Sequence, residues 1–153
     1  MGLASTLSDQ SSPLPKLLVF VPCRAVLFDE AGNVSPISIF TEVHISAHEG
    51  IPVDAQAPMQ WHVLTLWSNL PEDAARHYEE DVMLLGPDEG LVSHTKIQFS
   101  MDKPLQRNVS NMFGFPIGRA GDYRLSLKLK DMANEEIFVQ EHVFPMRVVH
   151  GTQ

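Results

Sequence analysis

Gly121-Asp122-Tyr123-Arg124-Leu125-Ser126-Leu127-Lys128-Leu129-Lys130 decides how this chain folds. Tyr123, Leu125, Leu127 and Leu129 fall on one side of an extended strand, and Arg124, Ser126, Lys128 and Lys130 on the other. A strict period of two means one buried face and one wet face, the pattern of an antiparallel sheet. A helix would scatter the same residues around its axis.

Working outward, the flanking segments read the same way. Asp131 to Asn134 turns the chain, and Glu135 to Val149 returns as the last strand. Its apolar parity switches from Ile137 and Val139 to His142, Phe144, Met146 and Val148, which predicts a bulge near Gln140 and Glu141. Val82 to Leu85 and Val92 to Met101 form a hairpin across Gly86-Pro87-Asp88-Glu89-Gly90. Gln106 to Phe113 is a further strand. Met59 to Ser68 carries Trp61, Val63, Thr65 and Trp67 on one face and His62, Leu64 and Leu66 on the other, so it is central or covered outside.

Leu17 to Phe28 is apolar but holds Pro22, which cannot donate to a ladder; it reads as an edge strand or one that changes partner there. Asp29 to Asn33 turns it. Ile37 to Ile45 is a strand, or a helical turn entering one. Leu70 to Tyr78 has a short-helix signature, with Asn69 as cap and Glu72 and Asp73 at its positive end. The expectation is an all-β antiparallel sandwich of about eight strands with one short helix. Residues 1–13 read as a flexible tail and 14–150 as one domain.

The Gly-x-Tyr-x-Leu-x-Leu strand, preceded by the Gly-Pro-Asp-Glu-Gly hairpin, resembles bacterial immunoglobulin-like sandwiches. There a tyrosine packs at a corner between the sheets, and the resemblance puts Tyr123 in that place. The layout from Leu17 to Val149 is also similar to a family of small bacterial proteins of unknown function. Their first strand ends in Asp-x-x-Gly-Asn-x-Ser, here Asp29 to Ser35, followed by an Ile-Phe element, here Ile39-Phe40. This resemblance implies an immunoglobulin-like fold and brings no active site with it.

The chain has 153 residues and a net charge of −8, from 19 acidic and 11 basic side chains. That balance repels phosphate backbones and anionic lipid, so neither nucleic acid nor membrane is an expected partner. No stretch approaches the roughly 20 apolar residues of a membrane helix. Met1 to Ser12 lacks a basic start and a long apolar run, so no secretory signal is read there. A cytoplasmic bacterial location is expected. Cys23, the single cysteine, is expected to be a small core residue.

No catalytic signature and no cofactor pattern emerges. There is no Gly-x-Ser-x-Gly elbow and no glycine-rich phosphate loop. Glu79-Glu80-Asp81 and Glu135-Glu136 read as solvated turn charges. Among seven histidines, His44 and His48 are the one local pair. A metal-dependent hydrolase, the alternative from another class, needs His62, His94 and His142 to converge. Trp61 and Trp67 are the candidate binding residues: exposed, they would make a stacking platform for sugar or an anchor for a protein. Buried, they are core, and core is expected. The functional expectation is a non-catalytic binding or scaffolding domain with a protein partner, and self-association wherever a terminal strand is an open edge.

Overall fold

The computed structural model describes residues 15–46, 50–69, 76–133 and 138–151. Nine strands run in chain order: β1 (Lys16–Phe28), β2 (Val34–Ile39), β3 (Glu42–Ser46), β4 (Gln56–Ser68), β5 (His77–Leu85), β6 (Leu91–Ser100), β7 (Leu105–Pro116), β8 (Gly121–Asp131) and β9 (Phe138–Gly151). They form a four-stranded sheet, β2-β1-β4-β7, and a five-stranded sheet, β3-β9-β8-β5-β6. All pairings are antiparallel except β3 with β9. No helix occurs among the described residues; residues 70–75 of the expected helix lie outside them, and His77 and Tyr78 belong to β5. The expected tail also lies outside the described residues.

The alternation in β8 buries one face as its period demands, but the other is not wet throughout: Ser126, expected outside, is 3% exposed. Tyr123, Leu125, Leu127 and Leu129 are buried and meet Trp61, Val63 and Trp67 of β4 in one core, the interior of a sandwich-like fold. Trp61, Phe115 and Phe40 pack edge to face at 5.5 to 5.9 Å between centroids, a favoured aromatic geometry. Phe40 gets there because the chain changes sheets between β2 and β3. The segment 37–45 is therefore two strands joined at a corner, not a helical turn. The parity switch in β9 is a register shift at Val139, one residue before the expected bulge. Tyr123 Oη donates to the carbonyl of Arg119, 2.8 Å away, tying the start of β8 to the turn before it.

Pro22 does not mark an edge. β1 lies inside its sheet and changes partner: it pairs with β4 from Lys16 to Cys23 and with β2 from Cys23 to Phe28. Pro22 has no N–H to give and sits at the changeover, where its carbonyl accepts from Phe40 N at 3.3 Å. Beyond this pivot the β1–β2 hairpin swings back over the outer face of its own sheet. Its tip meets Arg107 of β7: the guanidinium lies 5.1 Å from the Phe28 ring centroid. Arg107 pairs with Leu66, and Leu66 with Val19, well back toward the start of β1. Cys23 and Leu64, on this outer face, are fully buried.

The acidic run of β5 is another correction. Glu79, Glu80 and Asp81 are strand residues, and Glu80 and Asp81 are buried. Glu80 shares the parity of Tyr78, Val82 and Leu84, so it points into the core, while Asp81 points outward and is held by His94 of β6.

Candidate functional site

Trp61 and Trp67 are 0% exposed. Trp61 Nε1 donates to the Gly114 carbonyl at 3.0 Å, and Trp67 Nε1 to Glu80 Oε2 at 2.9 Å. With both faces covered, neither indole can serve as a sugar platform or partner anchor in the folded chain.

The three histidines of the hydrolase alternative do not converge. His62 lies on the outer face of the four-stranded sheet, bonded to Asn111 at 2.8 Å. His94 is on the outer face of the other sheet, against Asp81. His142 points inward, edge-on to Trp67 at 6.2 Å. Among the described residues no three potential metal ligands gather. His48 lies outside the described residues, and His44 bonds Glu42 at 2.9 Å. His77 and Ser100 are direct cross-strand partners, 2.7 Å apart beside a 340 Å³ cavity, but no carboxylate among the described residues orients the ring.

Glu80 is the one carboxylate among the described residues that points into the core. Thr65 Oγ1 donates to its carboxylate at 2.8 and 3.0 Å, beside the Trp67 bond. The Asn108 amide lies close by, yet its Nδ2 makes no bond of good geometry. Burial pushes the Glu80 pKa above the ordinary carboxylate range, and the bonds from Trp67 and Thr65 offset this only in part.

The larger described cavity is elsewhere. An open groove of about 580 Å³ runs between the hairpin tip and the start of β7, within the usual range for small-ligand sites, roughly 300–1,000 Å³. Leu66, Leu105 and Val34 give it apolar walls; Lys103, Gln106, Arg107 and Asn33 bring polar groups. The hairpin tip is built to hold its side of the groove. Asp29 accepts from Asn33 N and Nδ2, both at 2.8 Å, and its carbonyl accepts from Gly32 N at 3.0 Å. The bonds from Asn33 hold the Asp29 carboxyl below its ordinary pKa. Gly32 has φ +82, and a Cβ there would stand 3.1 Å from Arg107 Nη2. Glycine takes that left-handed backbone without strain, whereas a Cβ would also require the Arg107 guanidinium to give way by a few tenths of an ångström. The Asp-x-x-Gly-Asn motif thus shapes the groove as well as the turn.

Charge marks the same place, though not it alone, since Arg24, bonded to Met59 Sδ at 3.7 Å, also has no carboxylate partner among the described residues. The described ion pairs engage Lys96, Arg119, Arg124 and Arg147, as well as His44 and His94. Lys103 and Arg107 have no carboxylate partner among the described residues, and neither has Lys16, which faces Ser68 opposite Leu105 at the same end of the sheet. Sequence reasoning missed the groove because its residues come from three separate segments. Only Arg107 and Lys103, flanking an apolar Leu105, carried a local signal.

Scanned against protein-family models and searched against curated proteins, the sequence matches none.

Proposed function

We propose that this chain is a non-catalytic binding module on an immunoglobulin-like sandwich, taking an anionic ligand with an apolar portion in the groove beneath the β1–β2 hairpin. One observation carries the reading: Lys103 and Arg107, with no carboxylate partner among the described residues, flank an apolar floor in a molecule of net charge −8. Cations left unpaired on so acidic a chain attract an anion locally while the molecule as a whole repels one. The guanidinium over Phe28 is pre-oriented for bidentate contact with a carboxylate. The hydrogen bond from Tyr123 to the Arg119 carbonyl supports the immunoglobulin-like part of the reading.

Octanoate is a suitable probe, with octylamine as its charge-reversed control, both followed by amide chemical shifts. Octanoate should move resonances of residues 32–34, 66 and 103–107, and octylamine should not. Lys103→Glu with Arg107→Glu should weaken octanoate binding at least tenfold, about 1.4 kcal/mol. Equal response to both probes, or none in the groove at millimolar octanoate, refutes the proposal.

A further inference from the structure

We propose that the free edge of β7 pairs antiparallel with β7 of a second copy of this chain, about a two-fold axis through Val109. Among the described residues the open edges are β2 and β7 in one sheet and β3 and β6 in the other. Exposed edges invite pairing unless they are short, kinked or charged. Three are so guarded. β2 has six residues, with Pro36 and a left-handed Ser38 at φ 55. β3 has five residues. β6 carries Lys96 and a register irregularity near its start. The unbroken run of β7, Leu105 to Phe113, holds no proline, lysine or bulge, and a single charge, Arg107. The irregularity comes only at Gly114, where φ is +81.

Val109 is the midpoint of that run. A two-fold there sets Val109 against its own copy, Arg107 against Asn111, and Leu105 against Phe113. The lone charge faces a neutral amide, so no like charges meet. Leu105 and Phe113 are 53% and 79% exposed, and each would cover the other. Moving the axis to Asn108 would set Phe113 against Lys103; moving it to Ser110 would set Phe113 against Arg107.

The inner side of the strand supplies an independent reason. Asn108 and Ser110 are 6% and 4% exposed; Ser110 Oγ has no hydrogen-bond partner, and Asn108 Nδ2 makes only a poorly aligned approach to Glu80. Orphaned buried polar atoms call for an explanation. About Val109, Asn108 of each copy stands opposite Ser110 of the other, with Cβ atoms about 5 Å apart as in any antiparallel pair. That is within reach of an amide-to-hydroxyl bond, made twice by symmetry. The product is a continuous eight-stranded sheet, self-complementary as a two-fold interface must be. It stands whether or not the groove binds anions.

Sedimentation equilibrium over a wide concentration range tests this. The unaltered protein should show a reversible monomer–dimer equilibrium. Phe113→Glu, at a position already exposed in the monomer, should weaken dimerisation at least tenfold without changing the thermal unfolding midpoint at monomeric concentrations. Val109→Cys should cross-link to a disulfide dimer under mild oxidation, with Cys23 buried and silent. A chain that stays monomeric at millimolar concentration overturns the proposal. So does a dimer indifferent to Phe113→Glu, or a Val109→Cys variant that fails to cross-link.

Discussion

Glu80 is the side chain whose behaviour departs furthest from its sequence appearance. Flanked by Glu79 and Asp81, it looks like one charge of a solvated run, yet it is 1% exposed between the sheets. The period of two through Tyr78, Val82 and Leu84 already points it inward; its charge hides the pattern. Burial raises its pKa in the folded chain above the ordinary 4.5, so the fold holds the proton more tightly than the unfolded chain does. Its stabilising contribution is full below that ordinary value and is lost as pH rises through the raised one. Glu80→Gln should therefore flatten the decline in stability on the alkaline side, read as unfolding midpoints from pH 4 to 9. Glu80→Ala should cost about 2–4 kcal/mol at acid pH, because it strands the Trp67 N–H and the Thr65 hydroxyl in the core, and less as pH rises and the carboxylate's own contribution is lost. Denaturant titration measures that loss. Cys23 is where the sequence reading held: buried, and with its thiol pKa pushed up by burial.

At the scale of elements, strand alternation was readable because each face meets one environment along its whole length. That holds for the inner faces of β8 and β4 and for β6, whose Thr95, Ile97 and Phe99 turn in as expected, but not for β5, where Glu80 and Asp81 are buried. It failed where an element serves two environments. β1 belongs to β4 for half its length and to β2 for the rest, and Pro22 signalled the change without saying which partner followed. The groove was illegible for the same reason, since it exists only when the hairpin folds back on β7. Gly32→Ala tests that coupling. The new methyl meets Arg107 and the backbone is held at φ +82, so we expect a loss of about 1 kcal/mol in stability. Octanoate binding should fall with it, by titration, as the hairpin tip lifts.

Across the whole molecule, charge and apolar surface divide the proposed interactions. An acidic chain with a few uncompensated cations at one end should bind anions through a screened field. Dimerisation along β7 buries Leu105 and Phe113 and sets Arg107 against a neutral amide, while the two copies, each of net charge −8, repel one another through a field that salt screens. Raising sodium chloride from low to physiological strength and beyond should weaken octanoate binding several-fold and strengthen dimerisation, as followed by titration and sedimentation. If both respond equally to salt, the division is wrong.

The parallel pairing of β3 with β9 has a consequence for how the chain is made. Glu42 to Ser46 must wait for Arg147 to Gly151 before any ladder forms, and closing so long a loop is slow. The sheet β2-β1-β4-β7 needs neither of them, and its Trp61 and Phe115 already supply the ring contacts of Phe40, which lies between β2 and β3. The one parallel ladder is thus expected to close last, a short clasp fastened on a body already assembled.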